Sequence, residues 1–260
     1  MKGRAAGNAW TAWDTQVFAR AAGAAAATLV LAWLVTAATD EGGVPWGERV
    51  GRTLPLAPLC AALGVSAALA PVRWRGEAGA LAALGRSRAQ IAAGAVAGGA
   101  LVALAAALFI GLIRRVDVAG FYPTATHASV GSAWRWEGGT FVDAVRGLRV
   151  AADGMPVRVP IEQGAAIAAL PVHARAAAAL TTALAGLALP MLLAHALLSR
   201  PPETRFDRRD GWIVATAIAS VAASVVLFQS AAAHQLPAFS AAAPALVLLA
   251  LAVQRYRAAP

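Results

Sequence analysis

Six long apolar blocks restrict this chain to few folds. They fall at about residues 21–39, 53–72, 89–113, 174–199, 212–233 and 237–254. Each is long enough, as a helix, to cross a hydrocarbon core of about 30 Å. A spanning segment must satisfy its own backbone hydrogen bonds, so such blocks form helices. Only 13% of the 260 residues are charged and 59% are hydrophobic, against about 25% charged in soluble domains. Too few polar residues remain to cover a soluble surface. The expected fold class is an all-α polytopic membrane protein with six transmembrane helices. The rival for the first block is a cleaved signal peptide. Its apolar core is longer than an h-region, and Trp10, Trp13 and Asp14 precede it, which favours an uncleaved span.

The net charge is +9. On a soluble protein this would suggest nucleic acid, but the hydropathy favours a topological cause, so no nucleic-acid partner is expected. The N-terminus, the loops after the second and fourth blocks and the C-terminus would share one face. That face carries thirteen basic residues and five acidic ones, and the other carries nine and eight. Basic residues collect in short cytoplasmic loops, so both termini are expected in the cytoplasm and the protein in a bacterial inner membrane.

The expected organisation is three parts. Residues 1–113 hold three spans and a short cytoplasmic helix, residues 114–173 form a small extracytoplasmic segment, and residues 174–260 hold three more spans. The middle part reads as weakly β. Residues 132–136 alternate in character, Glu137-Gly138-Gly139-Thr140 is a turn, residues 141–150 return as a strand, and Asp153-Gly154 is a second turn signal. Trp134 and Trp136 fit either strands or interfacial anchors. In the third span, Gly94, Gly98 and Gly99 suit close helix packing, although a genomic bias toward alanine codons would give similar composition.

Catalysis is not expected. The single cysteine, Cys60, cannot form an internal disulfide, and His127, His173, His195 and His234 are scattered. The spans hold no acid pair, nucleophile–base set or metal cluster, so no catalytic residue, metal or cofactor is assigned. His195 and Gln229, near helix ends, are the polar candidates inside the spans, which argues against an ion-coupled carrier. Pro58, Pro190 and Pro244 either loosen spans two, four and six or are simply tolerated there.

The loop at residues 73–90 is the most informative stretch. It predicts a helix over residues 76–84, with Glu77 at its positive end and Gly85 in the left-handed position beyond its C-terminus. Ser87 and Gln90 form a capping-box pattern that starts the third span. Leu81 and Leu84 share one face, with Glu77 nearby. An acid beside a small apolar patch suits either a groove in a cytoplasmic partner or the membrane surface.

With these residues in hand, the chain resembles the LptF/LptG permease family, the membrane subunits of the lipopolysaccharide-export ABC transporter. Residues 77–87 resemble that family's coupling helix, Leu54-Pro55-Leu56-Ala57-Pro58-Leu59 its proline-containing second span, and residues 236–244 its approach to the last span. The similarity covers roughly residues 45–113 and 190–257. It implies a permease that is not itself an enzyme, paired with a second permease subunit as a homo- or heterodimer. It also implies a separate cytoplasmic ABC-type ATPase, since the chain has no phosphate-binding loop, and a membrane lipid or lipopolysaccharide as substrate. Glu77, Ala80, Leu81, Leu84, Gly85 and Ser87 would couple to the ATPase, and Arg49 and Arg52 would border the substrate cavity. Two departures stand out. Some fifty residues cannot supply the family's eight-stranded jelly roll, and Asp40-Glu41 stands where relatives tend to carry basic residues. The alternative is a non-transporting scaffold or assembly factor derived from the same family.

Overall fold

The computed structural model describes residues 10–39, 46–122, 134–137, 140–143, 148–151, 154, 156–158, 170–199 and 208–258. Six of its helical stretches are long and apolar enough to cross a membrane. The first, α1 (Ala12–Thr39), starts well before the apolar block does. The Thr11 N–H donates to Asp14 Oδ2 at 2.9 Å, and the Asp14 N–H returns to Thr11 Oγ1 at 3.4 Å. This reciprocal cap lets the helix begin in polar sequence.

The second stretch is interrupted. An amphipathic helix α2 (Trp46–Thr53) passes through a 3₁₀ turn (Leu54–Leu56) into α3 (Ala57–Trp74). Pro55 lies in the turn, and Pro58 lies in the first turn of α3, where its missing N–H costs nothing. Pro58 is thus a helix start rather than a kink. Pro244 likewise opens α8 (Ala243–Ala258), after a 3₁₀ turn over Ala238–Ala242. Pro190 is internal to its helix, α6 (Ala174–Leu198), and Pro71, which the sequence did not single out, is internal to α3. Between α3 and α6 come α4 (Glu77–Ala83) and α5 (Arg88–Leu112), and α7 (Arg208–Ala232) precedes the last helix.

Helices α3, α5 and α6 form the centre, α1 packs on α3 and α5, and α8 packs on α6. Small residues set these distances. A Cβ on Gly94 would lie 2.6 Å from the Asp14 carbonyl oxygen, and one on Gly98 would run into the Phe18 carbonyl. A Cβ on Gly99 would lie 2.7 Å from the Ala61 carbonyl oxygen. The expected packing role of these three glycines in α5 is therefore met. Helix α7 is different: only 6% of its apolar window is buried.

Both ends of the bundle are packed. At one end, Trp13, Val17, Leu69, Ala92, Leu197 and Tyr256 meet, so the start of α1 and the ends of α6 and α8 lie together. At the other end residues 113–122, after α5, fold back over the helix termini. Arg175 Nη1 donates to the carbonyls of Ile110 and Ile113, both at 2.8 Å. Its Nη2 donates to Val116 O at 2.7 Å and to Arg114 O at 3.2 Å. One guanidinium thus satisfies carbonyls left open where α5 stops. The Tyr122 hydroxyl donates to Ala174 O at 2.8 Å, and its ring meets Phe228 edge-on at 5.0 Å. Burial pushes this phenol up to about 12, so it keeps its donor proton throughout the physiological range.

The β segment is a four-stranded antiparallel meander: β1 (Trp134–Glu137), β2 (Thr140–Asp143), β3 (Leu148–Ala151) and β4 (Pro156–Arg158). The expected single strand over residues 141–150 is instead two strands, because the chain reverses between Asp143 and Leu148, which pair with each other. In register, Trp134 pairs with Asp143 and Trp136 with Phe141, which in turn pairs with Val150. Arg135 pairs with Val142, and Val142 with Arg149. Both tryptophans are therefore strand residues. Asp40-Glu41 and His127 lie outside the described residues.

Three changes test this account. Gly98→Val should lower thermal stability in detergent by about 1–3 kcal/mol through overpacking, whereas Gly23→Val, which meets open space, should not. Arg175→Ala should cost about 3 kcal/mol by orphaning several carbonyls, with partial recovery in Arg175→Lys. Tyr122 favours folding fully below the unfolded phenol's pKa, and that contribution is lost as pH rises through about 12. Tyr122→Phe should therefore cost about 1 kcal/mol near neutrality and reduce the alkaline loss of stability seen in pH-dependent unfolding.

Candidate functional site

Helix α4 projects from the end where the start of α1 meets the ends of α6 and α8. It lies between two left-handed glycines, Gly76 (φ +74°) and Gly85 (φ +87°). A side chain in this backbone region clashes with the neighbouring carbonyl, so glycine is favoured at both turns. Beyond α4, the Gly85 N–H donates to Ala82 O at 2.9 Å and the Arg86 N–H to Leu81 O at 3.1 Å. These two bonds are a Schellman closure. Ser87 then caps α5: its N–H donates to Gln90 Oε1 at 2.9 Å, and its Oγ accepts from the Gln90 N–H at 3.3 Å. The expected helix end and capping box are thus present, with α4 one residue shorter at each end than expected.

The six residues assigned to coupling divide into three groups. Ala80 and Leu84 are exposed, Leu84 at 81%. Glu77 is half-buried, with Arg75 Nη1 3.7 Å from its Oε1. Leu81 is half-buried, so it does not present the same open surface as Leu84. Gly85 and Ser87 shape the turn. Trp74, at the end of α3, is 75% exposed and widens the apolar part of this surface.

The sequence reading passed over what holds this loop down. Asp14, on α1, is 2% exposed. Arg86 Nη2 donates to both of its carboxylate oxygens, at 2.7 and 2.8 Å, and Thr11 Oγ1 donates to Oδ2 at 2.6 Å. The Arg86 guanidinium also sits over the Trp13 ring, 5.2 Å from its centroid, a cation–π contact. Trp10 donates from Nε1 to Thr15 Oγ1 at 2.9 Å and meets Phe18 edge-on. The two N-terminal tryptophans thus have packing partners. The signals were present in sequence: Thr11 three residues before Asp14, and an arginine directly after a helix-ending glycine. Nothing local pairs positions 72 residues apart.

Arg49 and Arg52 lie in α2 at the opposite end. Arg52 Nη2 bonds Glu48 Oε1 at 2.6 Å, one turn away, and Arg49 is half-buried. Neither lines the apolar cavity on one side of the bundle, although Arg52 is one turn before Pro55 and Leu56, which do. That cavity, of about 300 Å³, lies between α3, α6, α7 and α8. No group of three or more His, Cys, Asp or Glu able to hold a metal ion occurs among the described residues.

Comparison with protein families, with curated proteins and with solved structures finds no match. The class of the chain therefore rests on its own features: six membrane-length apolar helices and an exposed helical loop between the second and third.

The Asp14–Arg86 pair yields a double-mutant test. Arg86→Met should destabilise the bundle by about 3–5 kcal/mol, because it leaves a buried carboxylate unpaired. Adding Asp14→Asn should recover much of that loss. Equal, additive losses in thermal unfolding of the two single variants and the double would show that the pair is not coupled.

Proposed function

We propose that this chain is a permease subunit of an ATP-driven exporter of a lipid-like substrate, driven by a separate cytoplasmic ATPase. The carrying observation is α4, a short helix exposed at one end of the bundle. Its turns are fixed by Gly76, Gly85 and Ser87, and its exit is tied to α1 by Arg86 and Asp14. A force applied to Leu84, Ala80 and Glu77 reaches α1 through a charged strut and α5 through its cap. Placed with its excess of basic residues inward, the protein sits in a bacterial inner membrane, α4 and both termini face the cytoplasm, and the β meander lies outside. A second permease subunit, identical or related, completes the substrate path. The resemblance to the LptF/LptG family supports this reading.

A second reading is favoured by one observation. The four strands are only three or four residues long, far less than a β domain that relays lipid onward would need. A scaffold or assembly factor derived from such a permease would keep α4 as a binding element and carry no substrate.

Affinity purification of tagged protein from its native membrane tests the coupling. An ATPase should co-purify with the wild type and be lost with Glu77→Lys and Leu84→Asp, while both variants stay monodisperse. Absence of any ATPase in mild detergent would refute the exporter. An ATPase without substrate-stimulated turnover in lipid vesicles would favour the scaffold.

A further inference from the structure

Helix α7 packs mainly on α8 and the 3₁₀ turn before it, with little contact to the central helices. It therefore stands away from α3 and leaves the cavity of about 300 Å³ behind it. Phe121 and Phe228, with ring centroids 5.8 Å apart, form part of its wall, with Leu189 and Leu248 deeper in. The Thr181 and Thr182 hydroxyls, which face this space, already donate to Ala177 O and Ala178 O at 2.8 and 2.9 Å. Ser220 and Ser224 also line it, but most of the lining is aliphatic and aromatic and none of it is a charged side chain.

Four large apolar side chains of the lining are themselves exposed: Leu56 just before α3, Leu59 in its first turn, and Val221 and Val225 on α7, between 39% and 46%. They border the gap between the two helices, so the cavity is reached from the side of the bundle. In a membrane, that side faces acyl chains, not water. A roomy apolar cavity open to hydrocarbon fills with hydrocarbon, because water there would find almost no hydrogen-bond partners.

We infer that this cavity binds one acyl chain of a membrane lipid, inserted sideways between α3 and α7. Its volume lies at the low end for small-ligand pockets, so it takes part of a single chain and not a multi-chain lipid. Its lining comes from the start of α3, the first half of α6, the later half of α7 and the start of α8. All of these lie toward the Tyr122 end, so the chain comes from the leaflet at that end. The inference shares with the proposed function only the placement of the bundle in a membrane. It does not need the ATPase.

The test is photo-crosslinking in phosphatidylcholine vesicles doped with a phosphatidylcholine carrying a diazirine in one acyl chain. Adducts mapped by peptide mass spectrometry should fall on Thr181, Thr182 and Leu189. Ser224→Phe, which fills the cavity, should reduce them about tenfold, and Val226→Phe, outside the lining, should not. Ala185→Leu on the facing wall serves if Ser224→Phe does not fold. Adducts confined to Val226 and other outward residues, or unchanged by either filling variant, would overturn the inference. If the adducts persist but no ATPase co-purifies, the exporter reading fails and the lipid site stands.

Discussion

The structure depends on close approach between helix backbones. Apolar side chains gain little by leaving one hydrocarbon environment for another, so a bundle in a membrane is held by packing and hydrogen bonds. Here α5 lies directly on α1 and α3 because Gly94, Gly98 and Gly99 carry no Cβ to hold them off. That contact also brings the start of α5 beside the start of α1. The distance then suits a salt bridge between Arg86 and Asp14. A buried carboxylate is costly unless every oxygen is partnered, and Thr11 and Arg86 together supply the partners.

The two ends of the bundle solve different problems. At the Tyr122 end, α5 stops abruptly, and open carbonyls would be expensive near hydrocarbon. Arg175, arriving from the next spanning helix, donates to the carbonyls of Ile110, Ile113, Arg114 and Val116 there, and Tyr122 ties the returning chain to the start of that helix. At the α4 end, the chain turns twice on left-handed glycines and presents a small mixed surface. One end is closed on itself, and the other leaves Trp74 and Leu84 exposed. Helix α7 has the smallest buried share of the six spans, and the cavity lies where it stands apart from α3.

The α4 loop was legible in sequence because its signals are local. A glycine past a helix end and a Ser-x-x-Gln cap act within four residues, so pattern alone locates them. The prolines were harder. Pro58, Pro190 and Pro244 look alike in a hydropathy profile, yet two open helices and one lies inside a continuous helix. The difference is whether the preceding residues are helical, which depends on where the 3₁₀ turns fall. The strand reading found the β segment and missed its second reversal, since no strong turn pair marks residues 144–147.

The sequence by itself determined the number and extent of the spanning helices, the exposed loop between the second and third, and the asymmetry of charge between the two faces. These follow from hydropathy, local capping and composition, which act over short distances along the chain. Only the tertiary structure decided which polar groups meet. Asp14 with Arg86, Arg175 with the end of α5, and the acyl-sized space behind α7 all join segments far apart in sequence. Their geometry is set by how closely the helices pack, and that distance is a property of the assembled bundle.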